Sequence, residues 1–461
     1  MKKAWTLAAL SLALAAAYPA AHAAPNDDIL AELKALKAKV NELEQKLQAQ
    51  DAKIADMPQG MTPEQQADFN RIAVKTEALE DGRDSLGFKG LKISGYMDPT
   101  YIYNQRRDRA GFQFLNNVSE GDSYNYSYDN SYFGAAVIDF LKETDGGTRW
   151  HFALAPNRGV GATFNGNSPI QEASVSVPLT DLQTRLIAGQ IPDWSGYEYL
   201  QAPLNKLISH NLLFDFTLPT AYTGAGLELT RDQWIIKGVL ANVNTSKRAD
   251  GRTAPAFAYR VDYAKGEFQG FGFAGVHGQA ANGTTLVADG APDSRIDLFE
   301  ADGYFIRGDW TVQGQISFGR QKDAAIALSS TGALQDAQWW GLSGLAAYKF
   351  NPRFEGTVRA DYLNNSKHGG GLLGYATADD INGIGPDALV CPDTGVVDSG
   401  CSKGANRAAL TFGLSYLWDL NTTFKVEYRY DWASKSVFLD TGSGDYKKSN
   451  QLLGASVVVT F

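Results

Sequence analysis

From about residue 91 to the end of the chain, apolar and polar side chains alternate with a period of two. The stretch TFKVEYRYDW (423–432) is typical: Phe424, Val426, Tyr428, Tyr430 and Trp432 alternate with Lys425, Glu427, Arg429 and Asp431. Successive side chains of an extended strand point to opposite faces, so this pattern predicts a strand with one hydrocarbon face and one charged face. The same reading applies near 91–103, 132–142, 149–156, 170–178, 183–191, 223–231, 234–243 and 256–264. It continues near 271–278, 297–306, 310–319, 339–350, 354–363, 408–418, 423–432 and 451–461. That makes about 16 strands, each near the ~10 residues that cross a bilayer. A soluble sandwich with its apolar face inward and a membrane barrel with its apolar face outward both fit a single strand.

The connections separate the two. They alternate between tight turns (TDGG, LTD, RDQ, GD, NPR, DLNT) and long segments, the first running from Asn104 to Ser131. Alternation of this kind collects the short turns at one end of a meander and the long loops at the other, as in up-and-down outer-membrane barrels. The expected fold is therefore all-β, an antiparallel transmembrane barrel of about 16 strands over residues 91–461. An even count puts both ends of the barrel on the side of the short turns. Trp150, Trp234, Trp310, Trp340, Trp418 and Trp432 fall near strand ends, where interfacial girdles belong.

The first 90 residues read differently. Residues 1–23 have a basic start (Lys2, Lys3), an apolar run and a small-residue site at Ala21-His22-Ala23, which together read as a secretory signal peptide. In residues 24–57, Ile29, Leu33, Leu36, Val40, Leu43, Leu47, Gln50 and Ile54 are spaced alternately by four and three, the heptad pattern of a coiled-coil stalk. Residues 58–90 form a linker broken by Pro58, Gly60 and Pro63. A short amphipathic helix follows within it, carrying Phe69, Ile72, Thr76 and Leu79 on one face. No later segment is a long enough uninterrupted apolar run to cross as a helix.

Composition sharpens this picture. Only 20% of residues are charged, 47 are glycine, and the formal net charge is −9, or −11 once Lys2 and Lys3 are removed. An acidic chain argues against a nucleic-acid partner. The two cysteines, Cys391 and Cys401, bracket PDTGVVDSG, and export makes a disulfide between them the expected state. The acidic residues around that loop lack an EF-hand pattern. The segment GFGFAG (270–275) matches G-x-G-x-x-G without a βαβ context, and no other nucleophile, zinc or P-loop motif appears. The histidines are far apart. No enzyme activity, cofactor or metal is expected.

The last strand, QLLGASVVVTF, places Leu453, Ala455, Val457, Val459 and the terminal Phe461 on one face. In this it resembles Gram-negative outer-membrane porins of the 16-stranded type. LIAGQIPDWSGYEY and NKLISHNLLFDF are, more narrowly, similar to a group of proteobacterial porin-like proteins of unassigned function with an N-terminal coiled coil. The resemblance implies that Val457, Val459 and Phe461 form a signal read by the barrel-assembly machinery. It also implies that the third long connection (192–222), too long and apolar for a solvated loop, folds back to constrict the channel. Asp193, Trp194, Tyr197, Glu198, Tyr199, Lys206 and Asp215 would then form the constriction. The acids among them would face a wall carrying Arg260, Asp262, Arg359, Asp361, Lys425, Glu427, Arg429 and Asp431 across water, in a transverse field. Trp194, Tyr197, Tyr199, Phe214 and Phe216 would either stack on solutes or anchor the loop. The function expected is passive diffusion of small hydrophilic solutes through a homotrimer in the outer membrane, among lipid and lipopolysaccharide, with the stalk in the periplasm. The competing reading is a structural protein whose coiled coil tethers the barrel to the cell wall.

Overall fold

The wall is built from strands whose two faces meet different surroundings. In the computed structural model, the described residues are 71–72, 74–75, 88–115, 133–156, 169–244, 255–282, 284, 286–287, 292–369, 383–391 and 401–461. The chain divides into two units, Met1–Phe88 and Lys89–Phe461. Of the few described residues of the first unit, 71–72 and 74–75 are helical. The signal peptide, the heptads and nearly all of the linker lie outside the described residues.

In the second unit, eighteen extended segments join into one sheet. Two barrel strands are each built from two segments, so the wall has sixteen strands. They are β1 (Leu91–Met97 with Thr100–Asn104), β2 (Arg109–Gln113 with Ala136–Glu143), β3 (Arg149–Leu154), β4 (Ile170–Asp181) and β5 (Thr184–Pro192). Next come β6 (Ala221–Arg231), β7 (Trp234–Val243), β8 (Ala256–Ala264), β9 (Gln269–Ala280), β10 (Ser294–Arg307) and β11 (Trp310–Gln321). The last five are β12 (Ala337–Asn351), β13 (Phe354–Lys367), β14 (Arg407–Leu417), β15 (Thr422–Ala433) and β16 (Ser449–Thr460). Each pairs antiparallel with the next, and β16 closes the ring on β1 through Tyr96↔Thr460 and Tyr101↔Ala455.

The tight turns follow from short polar side chains that replace ladder partners. Asp181 accepts from the Gln183 and Thr184 amides at 2.8 and 2.6 Å, and Asn351 accepts from those of Arg353 and Phe354, both at 2.9 Å. These turns share one end of the barrel with residues 91 and 460, here called the terminal end. Outward positions are apolar and exposed while their inward neighbours are buried: Val426 is 49% exposed and Arg429 is fully buried. The six tryptophans named above are all exposed. Trp150, Trp234, Trp310 and Trp418 lie at the terminal end, and Trp340 and Trp432 lie at the long-loop end.

Two expectations need correction. The first connection is a tight turn: the chain reverses at residues 105–108 with Asp108 at φ 47°, and the strand resumes at Arg109. The long segment leaves later, inside β2. The charged run RRDR hid a turn that aspartate's tolerance of left-handed backbone permits. The inner wall is also not wet throughout. On β7 to β13 its inward residues Val239, Ala258, Val276, Leu298, Trp339 and Leu363 form a buried apolar patch. Along that patch the strands are apolar on both faces, which requires something to cover the inner one.

Candidate functional site

What covers it is the segment between β5 and β6, residues 193–220. A five-residue helix, α1 (Leu212–Phe216), sits at its core, and Leu212, Leu213 and Phe216 are completely buried against the apolar wall. Burying each side chain contributes roughly 2–3 kcal/mol. Helices this short do not persist alone. This one is capped by Asn211, whose side chain accepts from the Leu213 and Phe214 amides at 2.9 and 2.8 Å. His210 stacks on Phe214 with ring centroids 4.0 Å apart.

Around that apolar seat the segment is held by charge. Arg359 on β13 bonds Glu198 at 2.7 Å, the Ser209 carbonyl at 2.6 Å and the His210 carbonyl at 2.8 Å. Arg429 on β15 donates to the same His210 carbonyl at 2.9 Å. Glu198 in turn accepts from the Asn211 amide at 2.6 Å, tying the two limbs of the loop together. Glu427 takes the Ile208 and Ser209 amides at 2.6 and 3.1 Å, together with the Ser209 hydroxyl. Lys425 donates to the carbonyls of Ala202 and Asn205 at 2.8 and 2.7 Å, and Lys206 pairs with Glu355 at 2.8 Å. Asp361 and Asp431 complete the network, Asp361 on Arg359 at 3.1 Å and Asp431 on Arg429 and Arg407 at 3.0 and 2.7 Å. Unpaired, such buried ions would cost several kcal/mol each; paired and hydrogen-bonded, they specify one seat for the loop.

The loop's first limb meets the other side of the wall. Arg260 on β8 reaches Asp262 at 2.7 Å and crosses β9 to Glu300 at 3.3 Å and Asp302 at 2.9 Å on β10. It can cross because Gly272 lies beneath it: a Cβ there would stand 2.3 Å from the guanidinium. The GFGFAG segment is thus a strand whose glycine makes room for an arginine. On β14, Gly413 likewise leaves the space that Leu207 fills. Trp194 packs on Tyr222 with centroids 5.0 Å apart.

Among the loop aromatics, Tyr197 is buried with its hydroxyl on Ser343 at 2.6 Å, and Phe216 is buried with α1. Burial pushes the Tyr197 phenol well above its ordinary range. These two anchor; Tyr199 is 53% exposed. Asp193 sits at the root of the loop, accepting from the Ser195 amide at 3.0 Å and from the Tyr222 hydroxyl. Burial raises its carboxyl to about 6, outweighing those hydrogen bonds. Asp215 is buried on α1.

The expected loop and wall residues therefore meet inside the barrel, but in direct contact. Arg359, Lys425 and Arg429 lie beneath the loop, and no field spans water between them and Glu198. Sequence reasoning missed Arg407, Ser209, Asn211, Ser343, Glu300 and Asp302; the apolar-on-both-faces strand WIIKGVLANV was the available sign of a filled interior. Away from the seat, partly exposed charges stand on β2 to β8. His151 bridges Asp139 and Glu172 at 2.6 and 2.9 Å, Lys237 pairs with Glu228 at 3.3 Å, and Asp262 is partly exposed. Cys391 and Cys401 form a disulfide in the connection between β13 and β14, with Cα atoms 5.6 Å apart. Val457, Val459 and Phe461 face outward, and Phe461 hydrogen-bonds Gly95 on β1.

No curated protein matches this sequence. Among solved structures, the loop L8 deletion mutant of OmpT, an outer membrane protein of Vibrio cholerae, aligns with a TM-score of 0.51 and 10% identity, over 80% of this chain and 99% of that one. In-vitro folded OmpT from the same organism aligns at 0.50 and 10%, over 80% and 97%. Likeness at this identity speaks to the fold alone. Residues 55–461, spanning the whole barrel, match the family described as protein of unknown function (DUF3138), and the chain belongs to that family.

Proposed function

We propose that this chain is an outer-membrane channel for passive diffusion of small hydrophilic solutes, with residues 193–220 as a fixed internal constriction. The observation that carries the reading is that loop, fixed across the lumen and narrowing it while charges on the remaining wall stay partly exposed. It is bonded to β11–β15 and leaves Tyr199 exposed, while partly exposed charges stand on β2 to β8. Solutes pass between them, sieved by width and by wall charge. The partly exposed carboxylates there (Asp139, Glu172, Glu228 and Asp262) outnumber the partly exposed bases (His151 and Lys237), Arg185 and Arg260 being buried and Arg149 paired with Glu143, so the passage favours cations.

Transport needs no chemistry from the protein, so the chain is read as a conduit and not an enzyme. The heptads of residues 24–57 support self-association as a homotrimer through a periplasmic stalk. The outward C-terminal face with Phe461 supports recognition by the barrel-assembly machinery.

Planar-bilayer conductance of the refolded mature protein, with reversal potential in a KCl gradient, tests the reading. Stepwise conductance in threes with a cation bias is the expected result. A folded, heat-modifiable barrel with no conductance would overturn it in favour of the cell-wall tether.

A further inference from the structure

The outer face of the barrel carries a charged row where hydrocarbon should end. Strand register aligns His277 (β9), Asp297 (β10), Arg320 (β11), Gln338 (β12) and Lys367 (β13) side by side, all pointing outward at the long-loop end. The next outward row toward the terminal end holds Phe299, Phe318 and Trp340, and the one after it Phe273, Ile316 and Leu342. Outward rows are about 7 Å apart, so the surface passes from aliphatic to aromatic to charged within about 15 Å. That succession matches the change from acyl chains to headgroups at a bilayer interface.

The cations in this row are only partly answered by protein. Arg295 chelates Asp297 at 3.0 and 3.3 Å, with His277 on the same carboxylate. Arg320 uses its Nε and one Nη on Asp336 and stays 61% exposed. Lys367 is exposed, and its ammonium donates at 3.0 Å to Gln338, a neutral amide. Arg320 and Lys367 flank Gln338 two strand spacings apart, about 10 Å. They border an open cavity of about 450 Å³ that Leu334, Gln335, Asp336 and His368 help to line.

We propose that this cavity holds the phosphate of an anionic lipid headgroup, bound between Arg320 and Lys367 while its acyl chains lie on the aromatic row below. A phosphate would add acceptor oxygens to the Asp336 carboxylate on Arg320 and would give Lys367 an anionic partner beside the neutral Gln338, and the row faces the membrane rather than the lumen, which selects a lipid over a dissolved ion. The proposal rests on the outer-membrane reading above.

Trp340 reports on the site. The full-length chain would be inserted into phosphatidylcholine vesicles doped with brominated phosphatidylglycerol or, at equal mole fraction, brominated phosphatidylcholine. The quenching of Trp340 is taken as the difference from Trp340→Phe. Phosphatidylglycerol is expected to quench more strongly. The Arg320→Gln/Lys367→Gln double variant should lose that preference, by roughly fivefold in association per cation removed, while keeping its heat-modifiable mobility and conductance. Excess inorganic phosphate should not displace the lipid; displacement would mark a dissolved-ion site and overturn the proposal. Equal quenching by the two lipids in the unmodified, inserted protein would overturn the lipid site alone. A folded chain that fails to insert would overturn the membrane reading and this site with it.

Discussion

Arg359 on β13 meets Glu198 of the inner loop at 2.7 Å, with the arginine side chain fully enclosed and the glutamate 5% exposed. This contact joins a wall strand to a loop 161 residues earlier in the chain and fixes both limbs of the loop at once, because Glu198 also holds the Asn211 amide.

Glu198→Gln should therefore destabilise the barrel by about 3 kcal/mol, since it leaves the buried Arg359 charge with Asp361 as its one carboxylate partner among the described residues. The measurement is the midpoint of urea unfolding followed by gel mobility, with single-channel recording alongside. A loosened loop gives larger and noisier conductance; unchanged noise at unchanged stability would remove the pair from its anchoring role.

At Gly272 the prediction concerns space. Gly272→Ala places a methyl group 2.3 Å from the Arg260 guanidinium and 2.6 Å from the Asp262 carboxylate. Parting Arg260 from Asp302 and Glu300 should cost about 2–3 kcal/mol. Gly344→Ala, where a Cβ meets nothing within 4 Å, serves as the comparison and should be close to neutral.

Ion preference should move with the open wall and not with the buried one. Asp262→Asn combined with Glu228→Gln is expected to bring the potassium-to-chloride permeability ratio down toward unity in reversal-potential measurements. Equal ratios before and after would assign selectivity elsewhere.

Asp193 sets a pH dependence. Its carboxyl is raised from 3.8 to about 6 by burial, so the protonated form is the better fit to the folded protein. The folded state then holds more protons than the unfolded one between pH 4 and 6. The resulting stabilisation is complete below about pH 4 and is lost as pH rises through 6. The thermal midpoint should fall across that window relative to Asp193→Asn, by at most about 3 kcal/mol in free-energy terms. A difference independent of pH between the two proteins would contradict the assignment.

Most of the wall was legible because each strand carries its environment in its alternation. FKVEYRYDW reads correctly as outward aromatics over inward charges, and the strand positions follow from the same rule. The split first hairpin was not legible, because RRDR looks like solvated loop until Asp108 is seen in left-handed backbone. The pairing inside the lumen was also hidden. Lys425, Arg429 and Glu427 read as inward charges, but nothing local says that they grip carbonyls and amides of Ala202, His210 and Ile208 more than two hundred residues away. Register places them on the inner face; only the folded loop decides that they are covered.

The route of that loop also bears on how the molecule is made. Residues 193–220 precede β13 and β15 in synthesis, yet Glu427 grips Ile208 across 219 positions and Arg359 grips Glu198 across 161. Until those late strands arrive, α1 has an apolar patch but no charged clamp, and contacts this distant in sequence form slowly. The loop's polar clamp is therefore completed only when the last third of the barrel wall is in place. Arrival of β13 and β15 is thus the step that fixes the interior, and a chain cut short before them would keep the loop without its grip.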